Sequence, residues 1–430
     1  MSSNKKISLY TATSIVVANM IGTGVFTSLG YQVIDIKTIF PLLLLWVVGG
    51  ITALCGALSY GELAASIPRS GGEYHFLREI YHPAIGFVAG WVSATVGFAA
   101  PTALAAIALG KYAESVIPSL NATYLAAIVV VGLTVLHATN KYFGSKFQNL
   151  FTTVKVILIF LFILAGFTID SPQDISILSQ AGDFEIVTSS AFAVSLIYVS
   201  YAYTGWNAAV YITGEMKNPQ KNVPKALFQG TLLVMILYVM LNFTFLYTAS
   251  MSSMEGQVEI GYISAIQIFG ETGGKIMGLT ISFLLISTVS AMVFAGPRVM
   301  QVMGEDIRFF KFLSFTKNGI PRNAVVFQCI ITLIFIFSAS FDQALTFAGF
   351  TMSLVTFLTV TGVFVLRVKK PDLHRPFKTP GYPIIPFIFL SLVGWTLIFI
   401  LRDKPVESLA GLATVTVGLI VYFFIDKKSD

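Results

Sequence analysis

The sequence predicts an all-α membrane protein with twelve membrane-spanning helices, and three observations lead to this prediction. Charged residues make up only 11% of the 430-residue chain and apolar residues 55%, whereas a soluble domain carries about 25% charged residues. The mean hydropathy is +0.80. Apolar runs long enough to cross a bilayer, which takes roughly 17 to 25 helical residues, recur along the whole chain.

The apolar runs are separated by polar loops that are too short to form a separate soluble domain. The chain is therefore predicted to form one transmembrane domain over residues 1–430. The predicted spans are Leu9 to Ile34, Ile39 to Ser66, Ala84 to Val116, Tyr124 to Ala138, Phe147 to Phe167, Ile186 to Thr213, Ala226 to Thr248, Ile276 to Met300, Ala324 to Ser338, Phe341 to Leu366, Ile384 to Leu401 and Leu409 to Ile425.

The basic residues of the loops indicate how the chain is oriented. An even number of spans places both termini on one side, and nearly all loop Lys and Arg residues fall on that side. The other side holds only Lys37, Lys111, Lys275, Arg402 and Lys404. Because cytoplasmic loops are rich in Lys and Arg, both termini are predicted to be cytoplasmic, in a cell membrane. The net charge of +6 follows from this topology, so the lipid bilayer and not nucleic acid is the expected surroundings.

Glycine interrupts the first and the sixth span at mid-depth. The two runs are Ile21-Gly22-Thr23-Gly24-Val25-Phe26 and Tyr201-Ala202-Tyr203-Thr204-Gly205-Trp206-Asn207. An unwound stretch at membrane depth is tolerated only where it faces protein, water or a ligand. Two such breaks at corresponding places are typical of the central binding site of a secondary transporter. They predict inverted repeats over residues 9–167 and 186–366, followed by two additional helices within 384–425.

The loose ends of the two breaks predict what they bind. Unwinding at Gly22, Thr23 and Gly24 frees backbone N–H groups at the start of the next half-helix, where a carboxylate is favoured. Unwinding around Tyr201 to Thr204 leaves carbonyl oxygens that suit an ammonium group. Together they predict a site for a zwitterionic α-amino acid. The alternative is that these glycines only allow close helix packing.

Lys155 lies inside the fifth predicted span, in Leu150-Phe151-Thr152-Thr153-Val154-Lys155-Val156-Ile157-Leu158. A lysine inside the membrane is costly and is a functional candidate by default. In that interpretation its ammonium lies between helices one, five and eight. It would donate hydrogen bonds to carbonyls near Gly22 and to hydroxyls such as Ser287 or Thr288, and would do the structural work of a bound sodium ion. The alternative is that the side chain extends to the cytoplasmic interface.

The sequence does not predict an enzyme, a metal site or a cofactor. It has no intramembrane histidine cluster, aspartate pair or Ser/His arrangement that would support catalysis. The histidines His75, His82, His137 and His374 fall near loops, and the two cysteines, Cys55 and Cys329, fall inside apolar runs as packing residues.

Several spaced motifs resemble, in the same order, those of the amino acid/polyamine/organocation superfamily, and within it the L-type amino acid transporter family and its bacterial members. The motifs are Gly22-Thr23-Gly24-Val25-Phe26, Tyr60-Gly61-Glu62-Leu63, Ile67-Pro68-Arg69-Ser70-Gly71-Gly72-Glu73-Tyr74, Phe147-Gln148-Asn149-Leu150-Phe151-Thr152, Ala202-Tyr203-Thr204-Gly205-Trp206-Asn207 and Glu215-Met216-Lys217-Asn218-Pro219. The resemblance runs from the first to about the tenth span. It implies a leucine-transporter-type fold of five plus five inverted helices, with helices one and six broken.

The resemblance also implies roles for individual residues. Gly22, Thr23 and Gly24 would bind the substrate carboxylate, and the backbone of Tyr201, Ala202 and Tyr203 its amino group. Tyr201 would also be an aromatic gate, and Tyr238 matches a tyrosine near the site. Lys155 falls near the position of a sodium site in sodium-coupled relatives. Animal members pair with a glycoprotein through a cysteine between spans three and four; the segment from Ala113 to Thr123 has none, so no disulfide-linked heavy chain is expected.

The expected function is sodium-independent transport of neutral L-amino acids by an exchanger or facilitator with alternating access. Neutral substrates are favoured because the carboxylates fall in loops or at span ends, at Glu62, Glu73, Glu114, Glu215 and Asp342. Two alternatives stay open. If Lys155 loads and releases a proton, the protein would be a proton-coupled symporter. A membrane amino-acid sensor is an alternative of a different class, although a sensor is expected to carry an added signalling domain and the sequence predicts none.

Overall fold

The structure is a computed structural model that describes residues 6–139, 143–316 and 320–426, with the side chains of 143–149 and 426 left out. Some residues used for the sequence predictions lie outside this description: Lys5, Lys141, Lys317, Lys427 and Lys428, and the side chains of Lys146 and of Phe147-Gln148-Asn149. The described residues form helices joined by turns and loops, with one isolated parallel bridge between Ile7 and Met216. The prediction of an all-α membrane protein is confirmed.

The described part of the first half of the chain contains nine α-helices and one π-helical turn, Ser93–Gly97, within the third predicted span. Helix α6 begins with a proline, which lacks the N–H that the first helical position leaves unpaired. The helices are α1 Leu9–Met20, α2 Gly24–Thr27, α3 Leu29–Asp35, α4 Ile39–Ser66, α5 Gly72–Ile80, α6 Pro83–Val92, α7 Ala99–Val116, α8 Ala122–Thr139 and α9 Phe143–Gly166.

The described part of the second half contains nine further α-helices and two 3₁₀ segments, Ala208–Glu215 and Arg308–Leu313. A capping box of Ser340 and Gln343 starts α16, which satisfies two backbone N–H groups at the helix end. The helices are α10 Asp183–Val187, α11 Ser190–Tyr203, α12 Pro219–Thr248, α13 Met251–Met254, α14 Ile260–Asp306, α15 Arg322–Ser338, α16 Phe341–Lys369, α17 Ile384–Asp403 and α18 Pro405–Asp426.

Within the described residues, nine helical segments are long and apolar enough to cross a membrane. The other predicted spans correspond to the shorter apolar helices Leu150–Gly166 and Arg322–Ser338 and to the interrupted segment that contains α11. The count of twelve spans and the two inverted repeats stay predictions.

Several segments between the predicted spans are helical, and the two longest are α5 and the beginning of α14. Helix α5 lies between the second and third predicted spans, where no helix was predicted, because its nine residues are too few to give a span-length apolar run. Helix α14 begins at Ile260 and not at Ile276; it passes through Gly270, whose φ of 70° is not helical. In the stretch from Gly304 to Asn323, Phe310 is buried while Phe309, Phe312 and Phe315 are exposed.

The interrupted helices occupy the centre of the bundle. Helix α1 packs against α9 and α12, while α11 packs against α2, α4 and α16. Helix α9 also packs against α14, so it lies beside the break between α1 and α2. These contacts place both glycine-interrupted segments in the interior, and α17 and α18 pack outside them on α16.

Candidate substrate site

The first break lies between Met20, where α1 ends, and Gly24, where α2 begins. The Gly22 N–H group donates to the Met20 carbonyl at 2.8 Å instead of continuing the helical pattern. The Tyr238 hydroxyl of α12 donates to the same carbonyl at 2.5 Å. The break and Tyr238, which the sequence analysis identified separately, therefore meet in space.

Lys155 reaches this break from α9. Its side chain is only 3% exposed, and its Nζ donates to the Ile21 carbonyl at 3.3 Å and to Thr288 Oγ1 at 2.7 Å. Thr288 lies on α14, so the ammonium joins the break in helix one to two other helices. Ser287, the other hydroxyl considered from the sequence, donates to the Leu284 carbonyl instead. The alternative for Lys155, in which the side chain extends to the cytoplasmic interface, does not describe this buried side chain.

The second break follows Tyr203, where α11 ends, and leads into the 3₁₀ segment Ala208–Glu215. Gly205 has a φ of +104°, and a Cβ there would lie 2.7 Å from the backbone carbon of Asn19 on α1. Only glycine fits this conformation and this close approach. The Tyr201 carbonyl accepts from the Thr204 N–H at 2.9 Å. It is therefore not free in this conformation, although the sequence analysis expected free carbonyls here, because the helix end tightens into an i to i+3 bond.

The two breaks touch each other. A Cβ at Gly24 would lie 2.4 Å from Ala202 Cα, whereas a Cβ at Gly22 would meet Thr288 Cγ2 at an ordinary 3.4 Å. Thr23 is 2% exposed and its neighbours Ile21 and Val25 are fully buried. In this conformation Gly24 is a close-packing residue, and the N–H groups predicted to bind a carboxylate are covered.

A cavity of about 840 Å³ lies next to the second break. Its wall includes Tyr201, Tyr203, Thr204, Trp206 and Asn207, which the sequence analysis named. It does not include residues 21–25 or Ala202. Beside Gly22 and Lys155 there is only about 10 Å³ of free space, close to the lower limit for one water molecule.

The cavity extends toward the side of the chain that carries the N-terminus. Ile7, Ser70, Glu215 and Glu305 belong to its wall at that end. At the opposite end the Tyr198 hydroxyl donates to Asp342 at 2.6 Å, and Lys404 donates to the same carboxylate at 3.2 Å. The cavity therefore extends to one face of the bundle, and an ion-paired cluster joins the helices at the other.

The cavity wall also holds residues that the sequence analysis did not name. They come from the π-helical turn, from the residue that precedes α7, and from α14 and α16: Ser93, Gly97, Phe98, Arg298, Gly349 and Met352. Arg298 is exposed and its guanidinium lies over the Phe294 ring. The composition of an apolar helix does not show which of its side chains face a cavity. Gly97 was a feature of the third span that could have indicated an interruption of the helix there.

Aromatic rings surround the second break. Tyr203 packs against Tyr238 with centroids 5.1 Å apart, and its hydroxyl donates to the Trp46 carbonyl at 3.0 Å. Trp206 contacts Tyr60 edge to face at 4.7 Å. At the cavity mouth, burial raises the pKa of Tyr74 to about 12, with a further contribution from Asp306. Tyr74 therefore stays a neutral donor, and it donates to that carboxylate at 2.8 Å.

A helical bundle with two interrupted central helices beside an internal cavity is the architecture of a membrane transporter. A family model described as "Amino acid permease" matches residues 7–424. The chain belongs to the amino acid permease family. It is therefore a transporter-family membrane protein and not an enzyme.

Curated relatives match nearly the whole chain. It is 29% identical to the human "Large neutral amino acids transporter small subunit 2" over 97% of this chain and 80% of that protein. The mouse "b(0,+)-type amino acid transporter 1" is 28% identical over 97% of this chain and 87% of that protein. The human "Cystine/glutamate transporter" is 26% identical over 99% of this chain and 86% of that protein.

Proposed function

We propose that the protein is a sodium-independent exchanger or facilitator of neutral L-amino acids that works by alternating access. The observation that carries this proposal is the Lys155 ammonium, which donates to the Ile21 carbonyl at the first break and to Thr288 on α14. A fixed cation that holds the end of α1 to α14 removes the need for a sodium ion at this position. The name of one relative, "Large neutral amino acids transporter small subunit 2", supports the neutral substrate class.

The proposed binding mode uses both breaks. The N–H groups of Gly22, Thr23 and Gly24 bind the carboxylate, and the backbone of Tyr201 to Tyr203 binds the ammonium group. Because Gly24 packs on Ala202 in this conformation, substrate binding requires the two breaks to separate. The structure then corresponds to a state before the carboxylate site opens, with Tyr201 between that site and the cavity.

The charges in the cavity favour a neutral substrate. Arg298 lies two helical turns from Glu305 along α14, on the way from the mouth to the breaks, and both belong to the cavity wall. A substrate with a cationic side chain would have to pass the Arg298 guanidinium. Trp206 and Met352 offer apolar surface for an uncharged side chain.

The proposal includes the surroundings of the protein. The protein lies in the cell membrane with both termini cytoplasmic, so that the cavity extends to the cytoplasmic face. It acts without a disulfide-linked heavy chain, because residues 113–123 contain no cysteine. Residues 9–167 and 186–366 form the inverted repeats that move relative to each other.

Counterflow in proteoliposomes tests the proposal. Vesicles loaded with unlabelled leucine, alanine, arginine or glutamate are diluted into labelled leucine, in sodium or choline buffer. We expect leucine uptake that neutral amino acids inside the vesicle stimulate and that is equal in both buffers. A strict sodium requirement contradicts the proposal. Uphill accumulation driven by a proton gradient would replace exchange by proton symport, and binding without any flux would support a sensor.

A further inference from the structure

The geometry points to Glu73 as a positioning residue of the substrate cavity. We propose that its carboxylate holds the Asn207 amide so that Asn207 Oδ1 faces the cavity and accepts a hydrogen bond from an N–H or O–H group of the bound amino acid. This inference rests on the proposed transport function. It assigns a role to the Ser70-Gly71-Gly72-Glu73-Tyr74 motif, which the proposed binding mode leaves without one.

Glu73 lies on α5 and is only 1% exposed. Its Oε1 accepts from the Tyr60 hydroxyl at 3.1 Å and from Asn207 Nδ2 at 2.5 Å, and its Oε2 accepts from the Tyr211 hydroxyl at 2.7 Å. Among the described residues no Lys or Arg forms an ion pair with it. A buried carboxylate is costly unless donors surround it, and here three neutral donors from two other segments do so.

The carboxylate decides which way the Asn207 amide points. Both Glu73 oxygens accept hydrogen bonds, and Asn207 turns its NH₂ group, the donor end of its amide, toward Glu73 Oε1. The same NH₂ group lies 3.4 Å from the Tyr211 hydroxyl, which occupies its second proton. Asn207 belongs to the cavity wall, and its oxygen is the polar atom left to face the cavity. A neutral amide at position 73 would permit both orientations of Asn207.

The motif before Glu73 fits closely against the segment that follows the second break. Ser70 Oγ accepts from the Gly214 N–H at 2.9 Å. Gly72 has a φ of +54°, and a Cβ there would lie 2.4 Å from the Tyr211 ring. These contacts flank the Glu73 cluster on both sides along the segment 207–214, so the motif fixes the position of the cavity wall that carries Asn207.

The test compares leucine affinity, by scintillation proximity in detergent, for five purified proteins with measured melting temperatures. They are the wild type, E73A, N207D, the double variant E73Q/N207D and E79Q, a control on the exposed face of α5. We expect at least tenfold weaker binding for E73A, where Asn207 is no longer oriented. N207D should weaken binding at least as much, since it places two carboxylates in contact.

The double variant E73Q/N207D is the decisive member. Its side-chain amide at position 73 would donate to its carboxylate at position 207 and leave an acceptor facing the cavity, so leucine affinity should return to within about threefold of wild type. E79Q should bind as the wild type does. Glu73 has no positioning role if E73A binds like the wild type, or if E73Q/N207D binds no better than N207D. A wild type that binds none of a panel of neutral amino acids overturns the proposed function as well.

Discussion

The replacement of Lys155 by methionine tests the central interaction of the proposed mechanism. Methionine keeps the length and flexibility of the side chain and removes the ammonium. Two hydrogen bonds are lost, to the Ile21 carbonyl and to Thr288. Each hydrogen bond to a charged group contributes about 1.5–3 kcal/mol, and the longer bond of 3.3 Å lies at the lower end of that range. The interaction free energy between the end of α1 and its neighbours therefore falls by about 3–5 kcal/mol.

The cost to overall stability should be much smaller. Removing a buried charge also removes its desolvation penalty, which is several kcal/mol per ion. We therefore expect K155M to stay folded, with the free energy of unfolding changed by no more than about 2 kcal/mol. The lost contact instead disfavours the conformation in which helix one is held. About 3 kcal/mol corresponds to a shift of roughly a hundredfold in a two-state equilibrium.

The assay is leucine counterflow together with a melting curve in detergent. Exchange by K155M should fall at least tenfold, with a melting temperature close to that of the wild type. K111M is the matched control, because Lys111 is 46% exposed and pairs with Glu114 on the surface, where such pairs contribute little. K111M should exchange normally.

A double-mutant cycle with T288V sharpens the test. T288V leaves the buried ammonium short of one acceptor and should lower the melting temperature more than K155M does. Once the ammonium is gone, T288V should cost little more, so the two effects are not additive. Full exchange by K155M, or additive effects in the cycle, would contradict the proposed role of Lys155.

Three further outcomes follow from the structure. G24A should strongly lower both the melting temperature and the exchange rate, because its Cβ would lie 2.4 Å from Ala202 Cα. G22A has its nearest contact at 3.4 Å and should lower the free energy of unfolding by less than about 1 kcal/mol. Equal effects of the two variants would contradict the close packing at Gly24. Y198F removes a 2.6 Å hydrogen bond to Asp342, at the face of the bundle opposite the cavity mouth. Chemical labelling of a single cysteine placed at that face should therefore become about tenfold faster. Unchanged labelling would mean that this contact does not hold the face closed. Leucine exchange should be the same in sodium and choline at every leucine concentration, and a sodium-dependent KM would argue for an ion site.

The amino-acid sequence predicts which segments and residues build the site better than it predicts which of them contact each other. Gly22 and Gly24 identified the first break and Gly205 the second, because glycine weakens a helix wherever it stands. Lys155 was identified because an ammonium in an apolar run is costly in any fold. The choice between Ser287 and Thr288 was not available, since neighbouring helical positions point in directions about 100° apart and only the packing of α9 on α14 selects one of them.

The amino-acid sequence was enough to predict the membrane class, most span positions, the two breaks and a lysine inside the bundle at position 155. Each of these depends on transfer free energy or backbone freedom within a local stretch of chain. Three contacts became known from the folded structure alone: Gly24 packs on Ala202, the Tyr201 carbonyl bonds its own helix end, and Glu73 contacts Asn207. These contacts join residues 134 to 178 positions apart in the chain or depend on how a helix end closes, so they exist only once the helices are packed together.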